Sequence, residues 1–176
     1  CFADFPTEPI TRTTRDYRQL GIGYANLGAL LMATGHAYDS EGGRAIAAAV
    51  TALMTGTAYK RSAELAGVVG PYAGYARNAE PHTAVMRKHA AAADAVVTLE
   101  SFDADILAAA KRAWHEGIEI GLVNGWRNAQ ASLLAPTGTI GFMMDVDTTG
   151  IEPDLALVKF KKLVGGGSIQ IVNNTV

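Results

Sequence analysis

A chain of 176 residues and 18.5 kDa is long enough to bury a substantial core, and 49% hydrophobic against 18% charged residues is typical of a folded domain rather than a disordered segment. The formal net charge of −2 favours no nucleic acid polymer as partner, and no apolar run reaches the roughly 18 residues of a membrane span. A single cysteine, Cys1, allows no internal disulfide, which favours a cytoplasmic location.

The first three quarters of the chain predicts helices, because apolar side chains recur at intervals of three and four residues between capping residues and glycines. Gly35 and Gly125 are placed to end helices. Gly67–Arg77 predicts a loop that packs Tyr72 and Tyr75 inward. The expected helices cover Thr14–Thr34, residues 41–66 behind a Ser40 or Asp39 cap, residues 80–97 opening at Glu80 and Pro81, and residues 103–124 opening at Asp103.

The last quarter predicts strands. Ala131–Ala135 is an apolar run typical of a short buried strand. Residues 158–161 alternate apolar side chains with lysines, and a second alternating stretch begins at Ile169. Gly165–Gly167 can supply the positive φ angles of a tight reversal, so the two stretches predict a hairpin. We expect its lysines, Lys159, Lys161 and Lys162, to form a solvated face.

A Pro-Thr-Gly segment after the first of these strands predicts an anion site. Pro136 suits the first position of a helix, and the amides that follow would have no intrahelical partner. Gly138 has no Cβ to obstruct a phosphate. The local alternative is an ordinary helix start capped by Thr137 or Thr139. The candidate phosphate-binding residues are Ala135, Pro136, Thr137, Gly138, Thr139 and Ile140.

Other candidate sites are weaker. The four histidines are scattered, and although His82 and His89 could share a helix face, no third ligand lies at metal spacing, so we expect surface or helix-end histidines. Asp145–Gly150 is similar to the opening of a calcium loop, but Ala156 stands where that loop requires a glutamate. We assign no catalytic residue and no metal ligand.

Two segments resemble a known family. The stretch APTGTIGFMMDVDTTGIEPDLALVKFKKLVGGG, from Ala135 to Gly167, resembles the C-terminal half of the catalytic barrel of ribonucleotide reductases, above all the adenosylcobalamin-dependent class. Leu20–Met32 and Tyr38–Ser40 resemble that family's glycine-rich helix and the helix start after it. The resemblance extends from about Phe5 to Val176 and is most specific over Ala135–Gly150.

The resemblance implies an α/β fold: a mainly helical fragment plus a few strands of a ten-stranded α/β barrel, with residues 1–176 forming one incomplete segment of that domain. It implies a part in reducing ribonucleotides to 2′-deoxyribonucleotides for DNA synthesis by thiyl-radical chemistry with adenosylcobalamin. Residues 135–140 would then match the family's loop that holds the substrate diphosphate through backbone amides. A diphosphate and a triphosphate substrate both stay open.

The family's Asn-x-Cys-x-Glu finger loop and redox cysteine pair do not occur here, and Cys1 lacks that context, so we do not assign it thiyl chemistry. The resemblance therefore implies a chain that is inactive alone and that needs the rest of the reductase chain as its partner. Strands left unpaired in an incomplete barrel predict self-association. The alternatives are a noncatalytic helical module that binds a phosphorylated small molecule, and a purely structural fragment.

Overall fold

The computed structural model describes residues 3–176, and Cys1 lies outside the described residues. The described chain is mainly helical with one two-stranded antiparallel sheet, as expected for a helical fragment of an α/β barrel. The elements are α1 (Glu8–Tyr17), α2 (Leu27–Ala33), α3 (Glu41–Val69), α4 (Tyr75–Asp94), α5 (Ser101–Asn124), α6 (Ile140–Met143), β1 (Val158–Lys162) and β2 (Ser168–Val172).

The chain divides into two compact units. Unit 1 comprises Cys1–Ile22 and Ala45–Leu133, and unit 2 comprises Gly23–Arg44 and Leu134–Val176. Unit 1 therefore contains α1, α4, α5 and most of α3, whereas unit 2 contains α2, the first turn of α3, α6 and the hairpin. That residues 1–176 form a single segment of one barrel domain stays a prediction.

The single helix predicted over Thr14–Thr34 is wrong, because two residues in it adopt left-handed backbone. Arg18 has φ 50° and ends α1, and Asn26 has φ 71° and precedes α2. Between them the chain has no helical structure, and the Ile22 amide donates to the Ala131 carbonyl rather than to a helical partner. This pairing forms the one isolated parallel bridge of the described residues, between Ile22 and Ser132.

The buried strand predicted over Ala131–Ala135 is also wrong. Its regular pairing is limited to that bridge, and although Ala131 is buried, Leu133 and Leu134 are exposed. A strand needs a neighbour along its whole length to satisfy its amides. The described residues supply that neighbour only around Ile22.

The predicted second and fourth helices are confirmed as α3 and α5. The Ser40 hydroxyl accepts a hydrogen bond from the Gly43 amide and so caps α3. Asp103 lies in the first turn of α5, where its carboxylate accepts from the amides of Leu99 and Glu100. Gly125, with φ 73°, ends α5 as expected.

The predicted start of the third helix at Glu80–Pro81 is wrong, since α4 begins five residues earlier, at Tyr75, and contains Pro81. Proline removes one backbone hydrogen bond from a helix. The helix nevertheless continues through Pro81, and rings on both sides of it are in contact: the Tyr75 and His82 rings lie 5.9 Å apart in an edge-to-face arrangement.

The core of unit 1 is built around two tryptophans. Trp114 and Trp126 are both buried, and the Trp114 indole donates to the Ala52 carbonyl of α3. A Cβ on Gly56 would lie only 2.9 Å from the Trp114 ring, so this glycine allows α3 and α5 to approach closely. The tyrosines expected to face inward contribute to the same core: Tyr72 is buried, and Tyr75 packs against it.

The interpretation of His82 as a surface or helix-end residue is wrong. Its ring stacks on Trp126 with centroids 4.8 Å apart, and its Nδ1 lies 3.2 Å from the Tyr72 hydroxyl. Burial lowers the pKa of His82, because the aromatic surroundings solvate an imidazolium poorly.

The hairpin is confirmed, but its two faces are reversed. β1 and β2 pair antiparallel with Val158 opposite Val172, and Gly165–Gly167 all have positive φ. Phe160 is 71% exposed, whereas Lys159 is partly buried and its ammonium pairs with Asp154 at 2.5 Å. The prediction that Lys159 lies on a solvated face is therefore wrong, because its ammonium forms an ion pair with the Asp154 carboxylate within unit 2.

The exposed side chains of the hairpin support the prediction of self-association. Val158, Phe160 and Val172 share one exposed face of the sheet, and apolar surface of this kind promotes association between chains. Sedimentation of the isolated 176-residue chain should show oligomers whose proportion falls when Phe160 is replaced by serine. A monomer at high concentration with the parent sequence would contradict this expectation.

His82 predicts a dependence of stability on pH. The folded pKa is lowered, so the unfolded state binds the proton more readily and stability falls as the pH drops below about 6.5, the ordinary histidine value. Urea unfolding at pH 7.5 and 5.5 should show this loss for the parent and for His115→Gln, whose imidazole is exposed. His82→Phe should reduce it, and an unchanged pH dependence in that variant would disprove the assignment.

Candidate functional site

The Pro-Thr-Gly segment forms a turn whose shape depends on Thr137. Thr137 has φ 52°, and its carbonyl accepts a hydrogen bond from the Gly141 amide at 2.8 Å. The prediction that Pro136 opens a helix is wrong, because the helix, α6, begins four residues later, at Ile140, and is one turn long. A left-handed residue directly after Pro136 prevents helical continuation from that point.

The amides of this turn are available to a ligand. Within the described chain, the amides of Thr137, Gly138, Thr139 and Ile140 donate to no protein acceptor. Gly138, Thr139 and Ile140 are exposed, and a Cβ on Gly138 would have no atom within 4 Å. The Thr139 hydroxyl makes no capping hydrogen bond. The free amides predicted from the sequence are therefore present, on a turn rather than on the end of a long helix.

Gly150 supports the turn through a hydrogen bond and a close backbone contact. Its amide donates to the Thr137 hydroxyl oxygen at 2.7 Å, so this threonine supports the backbone instead of capping α6. Gly150 has φ 50°, and a Cβ there would lie 2.9 Å from the Ala135 carbonyl oxygen. The two segments can approach this closely only because position 150 is glycine.

Asn26 and Thr148 connect this region to α2, and sequence reasoning missed both. The Asn26 side-chain oxygen accepts from the amides of Asp147 and Thr148, at 3.0 and 3.1 Å. The buried Thr148 hydroxyl in turn accepts from the Ala29 amide at 3.1 Å. An asparagine just before a helix is a recognisable capping signal, but its partners lie 121 and 122 residues away in the sequence.

Two aspartates near the turn are engaged by neighbouring donors. Burial alone would raise the pKa of Asp154, but hydrogen bonds from Lys159 and Asn173 outweigh it and lower that pKa. The pKa of Asp147 is lowered because the Thr175 hydroxyl donates to its carboxylate, with the Asn174 amide adding to the effect. Both carboxylates therefore stay ionised at neutral pH.

A cavity of about 130 Å³ lies beside Gly138, and its charge disfavours an anion. Asp147, Glu152 and Asp154 line it together with a single lysine, Lys159. An excess of carboxylates repels a phosphate. The amides of the turn therefore offer a better anion site on their solvent side than within this cavity.

Other kinds of site find little support among residues 3–176. No group of three histidine, cysteine, aspartate or glutamate side chains is placed there to hold a metal ion. Within the same residues, no helix has the length and apolar character needed to cross a membrane. His89 stacks on Trp114, and His115 pairs with Asp94.

Comparison with known proteins decides the family. The family model described as "Ribonucleotide reductase, barrel domain" matches residues 1–176. The chain belongs to the ribonucleotide reductase barrel-domain family. It is similar to proteins named vitamin B12-dependent ribonucleotide reductase, with 72% identity over 176 residues in Streptantibioticus cattleyicolor, 70% over 176 residues in Streptomyces clavuligerus and 48% over 188 residues in Agrobacterium fabrum.

The matches cover all of this chain but only part of each reductase. All of the chain aligns with 29% of the Streptantibioticus protein and with 18% of the Streptomyces clavuligerus protein, and 99% of it aligns with 15% of the Agrobacterium protein. The family resemblance and the fold class expected from the sequence are confirmed.

Two glycines of the site predict unequal losses of stability when a methyl group is added. Gly150→Ala should destabilise unit 2 by about 1–3 kcal/mol, because alanine is strained at φ 50° and its Cβ would meet the Ala135 carbonyl. Gly138→Ala should cost less than about 0.5 kcal/mol, since the space beside it is open and its φ is not positive. Urea unfolding of both variants tests the pair, and equal losses would show that the turn differs from the one described.

Proposed function

We propose that this chain is the part of a vitamin B12-dependent ribonucleotide reductase that binds the phosphates of the ribonucleotide substrate. The observation that carries the proposal is the row of unpartnered amides over Thr137–Ile140, with open space beside Gly138. The parent enzyme would reduce ribonucleotides to 2′-deoxyribonucleotides for DNA synthesis in the cytoplasm.

The turn suits a phosphate for electrostatic reasons. Consecutive amide donors stabilise negative charge, and hydrogen bonds to a charged acceptor are worth roughly twice those to a neutral one. Because Gly150 and Gly141 already hold the Thr137 hydroxyl oxygen and carbonyl, the amides keep their directions without a ligand. Preorganised donors cost little ordering entropy on binding.

Positive charge beside the turn adds to this preference. The Lys161 ammonium lies 4.2 Å from the centroid of the Phe142 ring in α6. A cation placed there raises the local potential for an approaching diphosphate, whereas Lys159 is neutralised by Asp154. Of these two lysines, Lys161 is therefore better placed to attract a nucleotide.

The contribution of these residues to the reaction is orientation. Holding the phosphates fixes the ribose relative to the groups that replace its 2′-hydroxyl with hydrogen, and such positioning lowers the barrier without a chemical step by the turn itself. The thiyl radical and the electron-donating cysteine pair of the proposed reaction belong to the rest of the reductase chain, which is thus the proposed partner of this segment.

Adenosylcobalamin, when bound to the parent enzyme, would supply the radical that starts the reaction. Three of the four histidines already have partners among the described residues: His82 is enclosed by aromatic rings, His89 stacks on Trp114, and the exposed His115 pairs with Asp94. We assign no residue of this chain to the cofactor.

The alternative, a noncatalytic helical module that binds a phosphorylated small molecule, uses the same turn. The match of a reductase barrel model to every residue of the chain favours the reductase over an independent module. The exposed hairpin face also suits a segment that packs against further chain.

Substitution of Gly138 tests phosphate binding. In a full-length reductase that contains this sequence, Gly138→Asp should raise the dissociation constant of the ribonucleotide by at least about a hundredfold, because the side chain obstructs the amides and its charge repels the phosphate. Thr139→Val keeps the amide and should cost far less. Equilibrium binding measures both effects.

Gly138→Asn separates obstruction from charge, because asparagine has nearly the shape of aspartate without its charge. We expect it to weaken binding less than Gly138→Asp and more than Thr139→Val. The open space beside Gly138 predicts that all three variants fold, which thermal melts check. If Gly138→Asp folds and binds the ribonucleotide as tightly as the parent, the turn does not hold the phosphates.

A further inference from the structure

We infer that Asn26 is a positioning residue for the phosphate turn, acting through Thr148 and Gly150. This inference rests on the proposed phosphate-binding function and adds a residue to it that lies more than a hundred positions away in the sequence. The Asn26 side chain accepts hydrogen bonds from Asp147 and Thr148 and not from residues of the turn, so its effect on a ligand is transmitted through the backbone.

The first step in this connection is the Asn26 side-chain oxygen. It accepts from two successive amides, those of Asp147 and Thr148, at 3.0 and 3.1 Å. A carbonyl oxygen has two lone pairs, so one asparagine satisfies both amides and fixes the direction of the peptide between them. The left-handed backbone of Asn26, with φ 71°, is one that asparagine adopts more readily than most residues.

The second step is the burial of Thr148. Its side chain is 1% exposed, and its hydroxyl accepts from the Ala29 amide in the first turn of α2. Gly28 lies against the same segment, since a Cβ there would be 2.6 Å from the Glu152 carbonyl oxygen. Thr148 therefore has one close-packed position, which the Asn26 and Ala29 hydrogen bonds define.

The third step leads from Thr148 to the turn. Gly150 lies two residues further along the chain, and its amide donates to the Thr137 hydroxyl oxygen. Its Cα packs so closely against the Ala135 carbonyl that a Cβ there would lie 2.9 Å from the carbonyl oxygen. A displacement of Thr148 consequently displaces Gly150, then Thr137, and with it the directions of the free amides. Since hydrogen bonds weaken steeply with misalignment, a small displacement weakens the hold on a phosphate.

The experiment compares variants that keep or remove each acceptor. Asn26→Gly keeps the left-handed backbone and removes the acceptor, whereas Asn26→Asp keeps both. Thr148→Val removes the hydroxyl at the other end of the connection, whereas Thr148→Ser keeps it. All four are made in a full-length reductase that contains this sequence, with folding followed by thermal melts.

The measurements are KM and kcat for the ribonucleotide and the inhibition constant of inorganic pyrophosphate as a competitive inhibitor. Asn26→Gly and Thr148→Val should raise KM and the pyrophosphate constant together by about tenfold or more, and kcat at saturating substrate, which depends on the orientation of the bound ribose, should fall by a smaller factor. Asn26→Asp and Thr148→Ser should stay close to the parent in both constants. A residue that only stabilises the fold would lower the melting temperature without this selective change.

Parent-like KM and pyrophosphate inhibition in a folded Asn26→Gly enzyme would overturn the inference. If that variant does not fold, parent-like constants in Thr148→Val would overturn it equally, because the same connection is broken there. Gly138→Asp is measured alongside. If pyrophosphate inhibition is lost in Gly138→Asp but stays parent-like in the Asn26 and Thr148 variants, the phosphate site is right and the positioning role of Asn26 is wrong. If inhibition is parent-like in Gly138→Asp as well, the phosphate site itself is wrong.

Discussion

The hydrogen bond from the Gly150 amide to the Thr137 hydroxyl oxygen is the interaction on which the proposed site depends. It holds Thr137 in a left-handed backbone conformation, and this conformation separates Pro136 from α6. Without that separation, the chain could continue as a helix, and later amides would find carbonyl partners within it. The turn instead keeps its amides free, at a local cost in backbone strain that the contacts of Gly150 offset.

The proposed site binds with backbone donors and keeps carboxylates away from the ligand. Asp147 and Asp154 are ionised but engaged by Thr175, Asn173 and Lys159, so their main effect is to hold unit 2 together. The solvent side of Gly138 then remains the place where an anion meets donors rather than acids. Backbone amides also place few demands on side-chain identity, which explains why the site contains threonines and glycine instead of arginines.

Local sequence signals predicted the elements whose ends are set by local chemistry. Ser40 caps α3, Gly125 ends α5, and three consecutive glycines turn the hairpin, each through an interaction within a few residues. The free amides of the turn were predicted from a helix start at Pro136, but the structure keeps them free in another way, through the left-handed Thr137 that Gly150 supports from 13 residues away. The family itself was recognisable from longer stretches of sequence.

The errors arose where distant contacts decide the structure. Asn26 leaves the helical conformation because its side chain bonds to Asp147 and Thr148, and no pattern near Asn26 contains that information. Lys159 turns away from solvent because Asp154 pairs with it, which reverses a face that alternation alone assigned to water. His82 is buried by rings from several elements. Such outcomes depend on tertiary packing, which overrides periodicity.

The most direct measurement is an experimental structure of a full-length reductase containing this sequence with a ribonucleotide bound. The account predicts phosphate oxygens at about 2.7–3.1 Å from at least two of the amide nitrogens of Thr137, Gly138, Thr139 and Ile140, on the solvent side of Gly138. Thr137 should keep its positive φ and its hydrogen bond from Gly150. Phosphates bound elsewhere, with these amides facing water, would contradict the account.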